Sequence, residues 1–85
     1  MSSARRAEAM ALLDAAMAQV ARMQFGADAE PVAVDVHVVF LAAIDGPIAA
    51  RAQASGGGRS VCFCDGEASD AQGRIVARAM GTFRR

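Results

Sequence analysis

Apolar residues recur at spacings of three and four near the start of the chain. Met10, Leu13, Met17 and Val20 form one stripe on a helix of 3.6 residues per turn. The surrounding Ala, Leu, Met, Gln and Arg residues are strong helix formers, so a helix is predicted from about Ala4 to Met23. Ser2 or Ser3 is placed to cap its start, and Gly26 to stop it, with Arg22 in the last turn as the helix dipole prefers. After Pro31 the pattern changes. Val32 to Leu41 is dense in valine, and β-branched side chains favour strands. Its alternation sets Val32, Val34, Val36, Val38 and Phe40 on one face and Ala33, Asp35, His37, Val39 and Leu41 on the other. A turn at Asp45-Gly46-Pro47 precedes a second strand, Ile48 to Ala54, with Arg51, Gln53 and Ser55 on its polar face. Gly56-Gly57-Gly58 ends it. Arg59 to Ser69 reads as a third strand, Asp70 to Gly73 as a hairpin turn, and Arg74 to Arg84 as a fourth strand.

One helix followed by four strands on short connections implies an antiparallel sheet with an amphipathic helix on one face, an α+β layer fold. The 85 residues allow a single domain, 1–85. Of its 46 apolar residues 21 are alanine, and only 23 are large once the two cysteines are also set aside. A chain this short buries only roughly 60–65% of its unfolded surface, so a second subunit is expected to complete the core.

Nine arginines balance nine carboxylates, and there is no lysine. A net charge of zero gives no electrostatic reason to expect nucleic acid or an anionic membrane as partner. No apolar window reaches the length of a membrane span, and Glu8 and Asp14 break the stretch after Arg5 and Arg6 that imitates a secretory signal. Cys62 and Cys64, two apart on a strand, share a face without easy disulfide geometry, so reduced thiols and a cytoplasmic location are expected. One histidine and Cys-Phe-Cys fall short of a metal-site pattern, and His37 has no local partner for a nucleophilic dyad.

Three segments, in order, resemble the hotdog-fold acyl-CoA thioesterases, nearest the subgroup named for the phenylacetic acid pathway. They are Leu12-Leu13-Asp14-Ala15-Ala16-Met17, then Val34 to Leu41, then Gly58-Arg59-Ser60 with Asp70 to Phe83. The resemblance implies a hotdog-like domain, short at its N-terminus, in which Asp14 is nucleophile or the base that activates water against a thioester. Asp14 lies at the edge of the predicted apolar stripe, where partial desolvation raises a carboxyl pKa. Members of the subgroup carry His-Gly-Gly at the helix start, whose amides polarise the thioester carbonyl; the matching positions here are Arg5, Arg6 and Ala7.

The resemblance also places coenzyme A near the glycine triplet, with Gly58, Arg59 and Ser60 at its nucleotide and Arg59 on a phosphate. Arg59 is expected to matter more than Arg84 and Arg85, which sit on a tail read as mobile. The implied function is hydrolysis of an acyl-CoA thioester by a homodimer or homotetramer, with no metal and no cofactor. The alternatives are a non-catalytic hotdog module that dimerises or binds acyl-CoA, and an unrelated small α+β interaction domain.

Overall fold

The computed structural model describes residues 1–85. Helix α1 spans Ser3–Phe25 and is followed by strands β1 (Val32–Phe40), β2 (Ile48–Gly57), β3 (Val61–Asp70) and β4 (Ile75–Arg84). Ser2 caps the helix, its hydroxyl accepting the Arg5 N–H at 3.2 Å. Gly26, at φ +111°, ends it by donating its N–H to Arg22 O at 2.9 Å.

The sheet order is β1-β4-β3-β2, and every pairing is antiparallel. β2, β3 and β4 form a meander, whereas β1 pairs with β4. The segment from Leu41 to Pro47 therefore crosses the end of the sheet from one edge to the other. Ile44 is buried along that crossing. The turn at Asp45-Gly46-Pro47 thus belongs to a crossover, not to a hairpin between neighbours. The Asp70–Gly73 turn is a hairpin, as its sequence predicts. Asp70 Oδ1 accepts the N–H groups of Gln72 (3.0 Å) and Arg74 (2.9 Å), and Gly73 adopts φ +83°.

α1 lies on one face, chiefly over β2 and β3. The buried stripe of the helix is Ala9, Leu13, Met17, Ala21 and Phe25. This corrects the sequence-based stripe: Met10 is 45% exposed and Val20 is only half-buried. The reason is the paving of the sheet. Its inner face carries Ala50 and Ala52 on β2, Gly66 and Ala68 on β3, and Ala77, Ala79 and Gly81 on β4. Small residues let the helix come close, so alanine serves on the helix side too. At Gly66 an added Cβ would lie 3.4 Å from Leu13 Cδ2, and at Gly81 it would lie 3.2 Å from Met17 Sδ.

β2 extends past Ala54, with a bulge between Ala54 and Gly56, and runs to Gly57. The glycine triplet is therefore ladder and tight turn rather than a loose break. Gly57 has φ +115°, and a Cβ there would lie 2.2 Å from Val61 O, so no other residue fits without moving the backbone.

Candidate functional site

Neighbouring helix residues fix which way Asp14 faces. Leu12 shares a surface groove with Pro47 and Ile48 at the β2 edge. Leu13 reaches Gly66 on β3, and Met17 reaches both Gly66 and Gly81 on β4. Turning round the helix in that direction moves across the sheet from β2 towards β1. Asp14, further round again, lies on the flank turned towards β1, with Met10 one turn before it. The helix barely covers β1, so Val34 and Val36 on that strand remain exposed. Asp14 itself is exposed, and the desolvation expected from the sequence does not occur within one chain.

At the positions matching His-Gly-Gly, the helix start offers no free amides. Arg5 N–H donates to Ser2 Oγ and Arg6 N–H to Ser2 O (3.1 Å), and position 7 lies inside the first turns. The Arg5 guanidinium pairs with Glu8 at 3.4 Å.

Gly58, Arg59 and Ser60 form the turn between β2 and β3, at the other end of the helix. Gly58 N–H donates to Val61 O at 2.7 Å. Sequence reasoning missed the residue that ties this turn down, Gln24. Its amide nitrogen donates to Gly58 O (2.9 Å) and Val61 O (3.3 Å), and its carbonyl accepts the Cys62 thiol at 3.3 Å. Nothing local marks Gln24, since its partners are 34 to 38 residues away. Ten residues of helix, about 15 Å, separate Gln24 from Asp14. Asp14 and the Arg59 turn are thus not in contact, and only a ligand with a long arm reaches from one to the other.

The C-terminus is not a mobile tail. Arg84 pairs in the ladder with both Val61 and Val32, and Arg85 N–H donates to Ser60 O at 3.0 Å. Arg59, Arg84 and Arg85 therefore gather at one end of the molecule, all exposed, and none pairs with an Asp or Glu side chain, although the Arg84 guanidinium donates to Arg85 O at 3.4 Å. Cys62 and Cys64 face the helix side, free and buried, with sulfurs 3.6 Å apart. Burial, reinforced by the Cys62 thiol, pushes the Cys64 thiol up to about 12. His37 pairs with Met80 on the opposite face, so no Cys-His dyad exists.

That opposite face carries a concavity of about 820 Å³, lined by polar groups that include Arg51, Glu67 and Arg78. Arg51 and Arg78 flank Glu67 in one row across three strands, with Arg51 donating to the carboxylate and Arg78 3.9 Å from it. The concavity lies across the sheet from Asp14.

A helix laid on a four-stranded antiparallel sheet in this order is the hotdog layer. The sequence model of the thioesterase superfamily matches residues 7–77. The chain belongs to that superfamily. Among solved structures it resembles a Bacillus halodurans protein determined with CoA, at 25% identity and a TM-score of 0.81, covering 87% of this chain and 53% of that one. A phenylacetic acid degradation-related protein of Ralstonia eutropha JMP134 is 26% identical, with a TM-score of 0.85, over 100% of this chain and 67% of that one. A conserved Pseudomonas aeruginosa protein shares the fold at 22% identity and a TM-score of 0.84, over 99% and 74%. The chain thus spans about half the length of the first of these. No curated protein matches it in sequence. No helix is long and apolar enough to cross a membrane.

Proposed function

We propose that this chain acts on acyl-CoA thioesters, with Asp14 as the base that directs water to the thioester carbonyl. The observation that carries the reading is the placement of Asp14 on the helix flank facing the uncovered side of β1, within the superfamily match. An exposed carboxylate there becomes a shielded one when a second copy covers that side, and the homodimer is part of this proposal. The nucleotide of coenzyme A goes to the basic end, where Arg59 contacts a phosphate from a turn held by Gln24. Arg85, anchored through Ser60, stands beside it. The CoA-containing Bacillus halodurans relative supports this ligand class.

The test is thiol release from a panel of acyl-CoA substrates. Asp14→Asn is expected to abolish release while leaving the fold intact, since the amide keeps the shape but accepts no proton. Unchanged rates in that variant would remove Asp14 from the reaction. A second reading, acyl-CoA binding without turnover, is favoured by the capping of the Arg5 and Arg6 amides by Ser2, which leaves them no role as carbonyl donors. Calorimetric binding of coenzyme A with no thiol release from any substrate would select it.

A further inference from the structure

The inner face of the sheet buries two thiols that the reaction above does not use. Cys62 and Cys64 lie two residues apart on β3, both turned towards α1 and both free. Cys62 is fully buried and Cys64 nearly so, with their sulfurs 3.6 Å apart. Phe83 and Gly81 stand opposite them on β4, and the Cys64 thiol meets Met17 O on the helix at 3.6 Å. The Cys62 thiol donates to Gln24 Oε1 at 3.3 Å. The Gln24 side chain therefore closes the end of the pair nearest the turn between β2 and β3.

Three properties narrow what such a pair takes. The first is span. Residues two apart on a strand have Cα atoms roughly 6.4–6.8 Å apart, at the far limit of what a disulfide bridges. Two sulfurs each about 2.3 Å from one tetrahedral centre stand roughly 3.8 Å apart, close to the spacing already present. A bridging atom thus suits the pair better than a sulfur–sulfur bond. The second is ligand count. No third histidine, cysteine or carboxylate joins the two thiols, so a cation that needs three or four such donors is not served. The third is charge. The pair sits in the apolar layer between helix and sheet, where burial keeps Cys64 a neutral thiol. A ligand that leaves no net charge behind is favoured there.

We propose that Cys62 and Cys64 form a two-sulfur site, closed by Gln24, that captures trivalent arsenic as arsenous acid. Each thiol displaces one hydroxyl of As(OH)3. Two As–O bonds and two S–H bonds break, two As–S bonds form, and each displaced hydroxyl leaves as water with a thiol proton. Arsenic stays trivalent, so the exchange needs no oxidant or reductant. The free acid and the bound arsenic are both uncharged. The one hydroxyl left on arsenic is a donor, and it takes over Gln24 Oε1 as the Cys62 thiol gives it up. Entry is from the turn, since Cys62 is the second residue of β3 and Gln24 ties that turn down.

Equilibrium dialysis of the folded, reduced chain against arsenous acid, with no added thiol, is the test. One arsenic per chain is expected. Cys62→Ala and Cys64→Ala each leave a single thiol, and each is expected to weaken binding about tenfold or more, because the second bond no longer forms within the molecule. X-ray absorption at the arsenic edge is expected to show two sulfurs and one oxygen. Amide NMR of the loaded protein should keep the native pattern, with shifts confined to the surroundings of Cys62, Cys64 and the Gln24 side chain. Gln24→Ala is expected to load faster, and zinc offered in place of arsenous acid is expected to dialyse away. No binding, one or three sulfurs around arsenic, or binding that appears only as the native spectrum collapses would overturn the site. Unchanged loading in Gln24→Ala would overturn its closure by that residue. Zinc retained in preference to arsenic would overturn the choice of ligand.

Discussion

Asp70 shows how one carboxylate sets a turn. Two backbone N–H groups and the Arg74 guanidinium hold its pKa below the ordinary carboxylate range, the Arg74 N–H most of all. A lowered value stabilises the fold at neutral pH, and that stabilisation is lost as pH falls through the folded value. Acidification below about pH 4 is therefore expected to loosen this hairpin first, and Asp70→Asn to blunt the acid dependence; a thermal melt series across pH checks it. Cys64 has the opposite sign. Its raised pKa keeps the thiol neutral, so the native protein is expected to resist iodoacetamide at pH 8 and react fully in denaturant. Stability should fall as pH rises beyond about 9, where an unfolded thiol ionises. At Gly57 the reasoning is steric. Gly57→Ala puts a methyl group into Val61 O at positive φ, and is expected to cost about 2 kcal/mol or more by denaturant melt.

At the scale of the element, the joins to the turn between β2 and β3 matter most. Gln24 links the end of α1 to Gly58, Val61 and Cys62, so Gln24→Ala is expected to free that turn. Amide exchange at Gly58 and Ser60 should quicken, and coenzyme A affinity should fall about as much as in Arg59→Ala, roughly tenfold. The elements themselves were legible in the sequence, because valine runs, Ser2, Gly26 and Asp70-Gly73 act within a few residues. The helix stripe was half legible. Leu13 and Met17 stand out, but the burial of Ala9 and Ala21 depends on the helix lying close to a sheet face paved with small residues. Met10, large and apolar, points past that paving. Family likeness is what singles out Asp14, and its setting was not legible, since that depends on which strands the helix covers. Gln24 left no trace, since its partners lie in another part of the chain.

At the scale of the whole molecule the strand order is the part no local pattern carries. β1 follows the helix and precedes β2, yet its partner is the last strand. The core that results is thin. Its largest fully buried side chains are Phe83, Leu13, Met17 and Val76. Leu13→Ala opens a void where the helix meets Gly66, and is expected to cost about 2–5 kcal/mol, enough to unfold a marginal domain.

The crossover from β1 to β2 also orders events in time. The β2-β3-β4 meander can form through two local turns, whereas β1 must wait until the C-terminal strand exists. On a ribosome, β1 emerges long before its partner does. It then spends that interval as an unpaired, valine-rich segment, the stretch of this chain most exposed to chaperone capture and misassembly during synthesis.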